Sequence, residues 1–122
     1  MKVNVNMLLI LILITSCARK KEVTEWEGMN DFHMIMAECY HPYADSTNIQ
    51  PAMELAPDLA AAADAWADSP RPDKVNTDEV DVLMNELRDK TTAFARESDT
   101  TVLVRIHDIF HELQNTWYTN PE

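Results

Sequence analysis

The 122-residue sequence predicts an all-α protein, an antiparallel four-helix bundle preceded by an N-terminal signal peptide. Three observations carry this prediction. Apolar residues recur at spacings of three and four in four separate segments, which is the period of amphipathic helices. The chain has one glycine, and its six prolines cluster between the apolar segments. No segment shows the alternation of apolar and polar residues that is typical of strands.

The first sixteen residues, "MKVNVNMLLILILITS", have the composition of a secretory signal peptide. Lys2 lies near the start, and the apolar run from Met7 to Ile14 is too short to span a bilayer as a helix. The run ends in "ITSC", which resembles the lipobox of bacterial lipoproteins. This resemblance implies that the chain is cleaved before Cys17 and that the thiol of Cys17 is acylated, with palmitate among the acyl groups. The alternatives are an uncleaved anchor, or ordinary cleavage beside a chance cysteine.

The lipobox divides the chain into a signal peptide over 1–16, a lipidated tether over 17–23 and a helical domain over 24–122. It also implies a protein of the bacterial cell envelope that is anchored to the membrane through its N-terminal lipid and faces the periplasm. If Cys17 carries lipid, Cys39 is the only remaining thiol and no disulfide can form within the chain. Cys39 is then buried, a soft metal ligand, or open to oxidation.

Helix 1 is predicted over residues 24–41. Thr24 and Glu27 have the spacing of a capping box, and Pro42 should stop the helix. Gly28 lies inside the segment, where it either frays the first turn or leaves room for a bulky neighbour. The predicted buried stripe consists of Trp26, Met29, His33, Met36 and Tyr40.

Three further helices follow along the chain. Helix 2 should begin with Pro57 and Asp58 in its first turn and end before "SPRP" at 69–72. Helix 3 should begin near Asn76 or Thr77, and a break at "ESDT" should precede helix 4. The predicted buried stripes are Leu59, Ala62, Ala63 and Trp66 in helix 2; Val80, Met84, Leu87, Thr91 and Phe94 in helix 3; and Leu103, Ile106, Phe110, Leu113 and Trp117 in helix 4.

The charge balance is acidic, with 10 Lys and Arg against 21 Asp and Glu and a net charge of −11. The folded part is more acidic than this number indicates, because four of the bases precede it: Lys2, Arg19, Lys20 and Lys21. Such a body repels nucleic-acid phosphates and attracts cations and basic partners. About a hundred residues after the tether suffice for one small domain.

The histidines are the candidate functional residues. In "RIHDIFHELQ", His107 and His111 stand four residues apart, which places both imidazoles on one helix face about one turn apart. His33 belongs to the stripe of helix 1. In an antiparallel bundle, equal rise along both helices sets His33 level with a point between His107 and His111. The sequence therefore predicts a metal site formed by these three residues.

Three imidazoles suit Zn(II), Cu(II) or Ni(II), and a thioether from Met29 or Met36 would favour copper. Asp108 or Glu112 could orient the imidazoles. The alternatives are that the two methionines fill the core, that His33 is a core histidine bonded to a carbonyl or carboxylate, and that the helix 4 pair is merely solvated.

His41 is a possible additional ligand, in a second and weaker cation site with carboxylates of the following loop. Its alternative role is to lie beside the negative C-terminal end of helix 1, just before Pro42.

The stretches "MNDFHMIMAECYHP", "LAPDLAAAADAWADSPRP" and "IHDIFHEL" resemble the cytochrome c′ and cytochrome b562 group of periplasmic four-helix bundles, including haem-free lipoprotein relatives. The likeness covers the layout from Thr24 to Tyr118. It implies a b-type haem whose iron is held by Met29 and by His107 or His111. The chain lacks the CxxCH motif for covalent haem attachment.

Three functions follow from these patterns. The first is a non-catalytic, lipid-anchored protein of the periplasm that binds copper or zinc. The second is a b-type haem electron carrier, and the third is an anchored interaction module whose protein partner the sequence does not identify. An enzyme is not predicted, because no spacing of nucleophile and base and no paired Glu-x-x-His motifs are visible.

Overall fold

A computed structural model describes residues 25–122; the predicted signal peptide over 1–16, the predicted tether over 17–23 with Cys17, and Thr24 lie outside the described residues. The described part is all-helical and contains no strand. Its four α-helices are α1 (Met29–Ser46), α2 (Gln50–Asp68), α3 (Asp78–Glu97) and α4 (Thr100–Thr119), with a short 3-10 helix over Asp73–Val75. The predicted all-α class and the four-helix bundle are confirmed for this part of the chain.

Ring contacts between α1 and α4 show that these helices run antiparallel. Trp26, just before α1, contacts Trp117, and Tyr40 near the other end of α1 contacts His107. Consecutive helices pack extensively on one another, whereas the contact of α1 with α4 is smaller than each of those three. None of the helices in residues 25–122 has the length and apolar character needed to cross a bilayer.

The bundle core follows the stripes predicted for α3 and α4. All ten residues of those two stripes are buried. In α2, Leu59, Ala63 and Trp66 are buried as predicted, while Ala62 is partly exposed. The core is therefore a single apolar interior to which all four helices contribute.

The stripe predicted for α1 is wrong in part. The fully covered positions within the helix are Phe32, Met36 and Cys39, at spacings of four and three. Met29, His33 and Tyr40 are only half-buried, and Trp26 is buried but precedes the helix. Phe32 thus takes an interior position that the prediction gave to His33, while His33 and Tyr40 lie at the edge next to α4, where they stack on Phe110 and His107.

Both predicted ends of helix 1 also need correction. α1 begins at Met29, so Thr24 and Glu27 do not form its capping box. It continues through Pro42 to Ser46, although an internal proline costs one backbone hydrogen bond. The turn after the proline is held by hydrogen bonds to the Pro42 carbonyl from the Ser46 hydroxyl at 3.0 Å and from the Asn48 N–H at 3.1 Å, which close the helix end.

Helix 2 begins earlier than predicted. α2 starts at Gln50, with Pro51 in its first turn, and Pro57 lies inside the helix. Pro51 therefore has the role that the sequence prediction gave to Pro57. The start of α3 is confirmed: Thr77 is its N-cap, and the Thr77 hydroxyl accepts a hydrogen bond from the Val80 N–H at 3.2 Å.

The start of α1 packs against the end of α2 at Gly28. It is the N-cap of α1 and has φ +91°, a left-handed conformation. A Cβ at this position would lie 2.8 Å from the Cα of Trp66. Of the two predicted roles for this glycine, room for a bulky neighbour is the correct one.

Candidate metal site

The centre of the candidate site is the histidine pair of α4. The Nε2 atoms of His107 and His111 lie 3.1 Å apart, and their ring centroids are 4.4 Å apart at an interplanar angle of 69°. One ring nitrogen donates its proton to the lone pair of the other. His107 is half-buried and His111 is exposed, so the pair lies at the border of the buried face of α4.

Two neighbours hold the His107 ring in place. Tyr40 from α1 stacks on it with centroids 3.8 Å apart and planes 15° from parallel. The Nδ1 atom of His107 lies 3.2 Å from the Oδ1 atom of Asp108. A proton on Nδ1 that is donated to Asp108 leaves the lone pair on Nε2, which is the atom that faces His111. His107 is thereby oriented as a nitrogen ligand.

The spacing of the pair suits a shared metal ion. Nitrogen ligands bind Zn(II) at about 2.0–2.1 Å, so two of them lie about 3.3 Å apart at a tetrahedral angle and about 2.9 Å apart at a right angle. The observed 3.1 Å between the two Nε2 atoms falls between these values. The distance between the two nitrogens is therefore that of two ligands of one ion.

The carboxylate of Glu112 belongs to an ion pair next to the site. Arg105 donates from Nη1 to Glu112 at 2.9 Å and from Nε and Nη2 to the two oxygens of Glu86 at 2.7 and 2.8 Å. The hydrogen bonds from Arg105 lower the pKa of the Glu86 carboxyl, and those to Glu86 and Glu112 raise the pKa of the Arg105 guanidinium. These contacts tie α4 to α3 and engage Glu112 with Arg105.

His33 stands at the predicted level but contacts a phenylalanine. Its ring stacks on Phe110 with centroids 4.8 Å apart and planes 12° from parallel, and Phe110 lies 5.3 Å from the ring of His111. Within residues 25–122, no three side chains of His, Cys, Asp or Glu are grouped so that they could hold a metal ion. The structure thus brings two of the three predicted ligands together, and His33 as the third stays a prediction.

The possible additional ligands have other surroundings. Met36 is buried in the core, and Met29 is half-buried against it, as expected for residues that fill the core. His41 is exposed, and its ring centroid lies 6.2 Å from that of Tyr40. The suggestion that His41 lies beside the C-terminal end of helix 1 is wrong, because α1 continues to Ser46.

Cys39 is buried. Its side chain has no exposed surface, and burial, with smaller contributions from Glu38 and Asp58, raises the pKa of its thiol to about 12. The thiol therefore stays protonated at neutral pH, whereas a metal ligand or nucleophile would need the thiolate. Of the three roles open to Cys39 from the sequence, burial as a small apolar residue is the one observed.

Two ring partners of the histidines were not predicted as part of the site. Tyr40 and Phe110 entered the sequence prediction only as members of apolar stripes. The spacing of seven between His33 and Tyr40 was the signal that both face the same neighbouring helix. The aromatic contacts of Phe110 with Phe32 and Trp66, at 5.9 and 6.0 Å, then anchor this region to the core.

No protein-family description, curated protein or solved structure matches the chain. The resemblance to the cytochrome b562 and cytochrome c′ group therefore stays a prediction that rests on the three quoted stretches.

Proposed function

We propose that the protein is a lipid-anchored, metal-binding protein of the bacterial cell envelope that faces the periplasm and holds copper or zinc at the His107–His111 pair. The observation that carries the proposal is the 3.1 Å separation of the two Nε2 atoms. Two imidazoles one helical turn apart can adopt many orientations, and here the two Nε2 atoms lie within hydrogen-bond distance of each other. The ion would be held rather than used in catalysis.

The surroundings of the pair support binding over simple solvation. The stack of Tyr40 on His107 and the contact of His107 with Asp108 restrict the ring before any ion arrives. A ligand that is already oriented loses less conformational freedom on binding. The acidic body, with a net charge of −11, also raises the local concentration of cations.

His33 is the additional ligand that the sequence predicts from helix 1, and it is tested separately from the pair. Its position level with the pair favours it, although its ring would have to leave the face of Phe110 to reach an ion at the two Nε2 atoms. His41 lies farther along α1 and is exposed, with its ring centroid 6.2 Å from that of Tyr40, and it serves as the comparison.

A b-type haem electron carrier is the second candidate, and it rests on Met29 together with His107 or His111. The interior of the bundle beside α1 is packed with aromatic side chains: Phe32 lies 5.6 Å from Trp66 and 5.9 Å from Phe110, by ring centroids. Haem binding would have to displace these rings, and we therefore favour a bare ion. An interaction module without metal is the third candidate.

The test of metal binding is calorimetric titration of Cu(II) and Zn(II) into the full chain in detergent. Four single variants are compared with the wild type: His33→Ala, His41→Ala, His107→Ala and His111→Ala. Loss of either α4 histidine should weaken binding at least tenfold, and His41→Ala should leave the affinity unchanged. Binding should also weaken as the pH is lowered, because a metal-bound imidazole must be deprotonated.

Several outcomes would contradict the proposal. Equal losses from His41→Ala and His111→Ala, or unchanged affinity in His107→Ala, would refute the pair as the site. Unchanged affinity in His33→Ala would remove His33 from the ligand set. A Soret band after reconstitution with haem, lost in Met29→Ala, would instead favour the cytochrome-like function.

Membrane anchoring is tested separately through Cys17. The full chain should appear in the membrane fraction with an acylated N-terminus, and Cys17→Ser should lose the acyl group and accumulate as an unprocessed precursor or a released protein. Cys39→Ser is the matched control, because it removes the other cysteine and should leave lipid labelling unchanged. Undiminished labelling of Cys17→Ser would show that "ITSC" is not a lipobox.

A further inference from the structure

We infer that two copies of this chain complete one metal site, with each copy contributing its His107–His111 pair. This inference rests on the proposed metal binding and adds the partner that fills the coordination sphere. Zn(II) in closed sites takes four ligands in tetrahedral geometry, and Cu(II) prefers four in a plane. The pair provides two nitrogens, and residues 25–122 offer no group of three candidate ligands.

A second copy can reach the pair more easily than His33 can. The His33 ring is half-buried and stacked on Phe110 at 4.8 Å, so its recruitment would break an aromatic contact inside the groove between α1 and α4. His111, by contrast, is exposed, and so are Asp108 and Glu112 on either side of it in α4. The open side of the pair is therefore the solvent side.

Symmetry makes two such pairs sufficient. A two-fold axis through the ion places the same two histidines of each copy around it and generates four nitrogens from one short patch of α4. The 3.1 Å spacing within each pair already suits this geometry. An isologous contact of this kind closes on itself, so the assembly stops at a dimer.

Charge makes the assembly depend on the ion. Each chain carries a net charge of −11, and the patch around His111 adds the exposed carboxylates of Asp108 and Glu112, of which only Glu112 is paired with Arg105. Two copies without metal therefore repel one another at this surface. A divalent cation at the axis supplies positive charge where the repulsion is greatest. The metal thus acts as a switch between monomer and dimer.

The experiment is sedimentation velocity on the full chain in density-matched detergent, with micelles in excess over protein, in EDTA and in zinc sulfate. We expect monomers in EDTA and dimers in zinc, with a binding stoichiometry of one zinc per two chains. His111→Ala should abolish the zinc-induced dimer, and His41→Ala, at an exposed histidine outside the pair, should retain it. Higher sodium chloride at fixed zinc should favour the dimer, because salt screens the repulsion.

The outcomes separate this inference from the proposed function. One zinc per monomeric chain would overturn the shared site and leave metal binding in place. No zinc binding would overturn the shared zinc site, and absence of both zinc and copper binding would overturn the proposed function as well. A zinc-dependent dimer that persists in the double variant His107→Ala/His111→Ala would overturn the shared site, because the dimer would then form elsewhere. Far-ultraviolet dichroism confirms that each variant is folded, and His111 is exposed, so its truncation should leave the fold unchanged.

Discussion

Replacement of Gly28 by alanine should destabilise the bundle through two separate effects. The first is conformational: φ is +91° at this position, and a left-handed backbone costs an L-residue with a Cβ roughly 1–2 kcal/mol. The second is steric, because the new Cβ would lie 2.8 Å from Trp66 Cα and 3.0 Å from Trp66 Cβ. Neither atom belongs to the movable end of a side chain, so α1 and α2 would have to separate.

That separation would loosen the contacts of Trp66 with Trp26 at 4.9 Å and with Phe32 at 5.6 Å. Overpacking of this kind costs about 1–3 kcal/mol. With the backbone effect, we expect Gly28→Ala to lower the free energy of unfolding by about 2–5 kcal/mol, a large share of the 5–15 kcal/mol typical of a domain. The melting temperature should fall by at least roughly 8 °C.

The assay is urea denaturation followed by dichroism and by tryptophan fluorescence, since all three tryptophans are buried. Thr47→Gly and Ser98→Gly are the controls, because these residues have φ of 55° and 51° and each follows the end of a helix. Glycine there should be neutral or should stabilise by up to about 1 kcal/mol. A loss below about 0.5 kcal/mol in Gly28→Ala would refute the reasoning, because it would mean that neither the backbone nor Trp66 resists a Cβ.

Three further predictions concern the core, the thiol and an ion pair. Phe94→Ala and Leu113→Ala should each lower the free energy of unfolding by about 2–5 kcal/mol in the same urea assay, because both side chains are fully buried. A decrease near zero in both variants would mean that these residues are not part of the core. Alkylation of Cys39 at pH 8 should be at least about 10³-fold slower in the native chain than in the urea-unfolded chain, because burial raises the pKa of its thiol from 9.0 to about 12. Rapid labelling of Cys39 in the native chain would contradict its burial. Arg105→Ala should destabilise by less than about 1 kcal/mol at pH 7, since the Glu86–Arg105 pair is about one-third exposed. The pKa of the Glu86 carboxyl is lowered on folding, so the stabilisation by the ion pair is present above the ordinary carboxyl pKa and is lost as the pH falls through the lowered value. An equal effect of the variant at pH 7 and at pH 3 would argue against the ion pair.

The helices whose local signals agree were predicted well from the sequence. In α3 the cap at Thr77 and the apolar stripe point to the same start, and in α4 the stripe from Leu103 to Trp117 is buried throughout. Local signals failed where tertiary contacts override them. Pro42 and Pro57 lie inside helices because packing of the surrounding turns outweighs one lost backbone hydrogen bond each.

The candidate site was predictable in its helix positions and unpredictable in its side-chain directions. The spacing of four between His107 and His111 and equal rise along antiparallel helices placed the residues at the correct levels. The rotation of α1 about its own axis is a different quantity, because neighbouring residues differ by about 100° around a helix. Phe32 therefore lies in the interior, and His33 lies at the edge of the core, where its ring stacks on that of Phe110.

The unequal packing around the bundle has a consequence for the order in which the protein folds. The three large helix contacts join neighbours in sequence, whereas the smaller contacts of α4 with α1 and with the 3-10 helix join more distant parts of the described residues. Proteins rich in local contacts fold within microseconds to milliseconds, because little loop entropy is lost before packing is gained. The ring contact of Tyr40 with His107 should therefore form among the last events of folding, after the contacts between sequence-adjacent helices have formed.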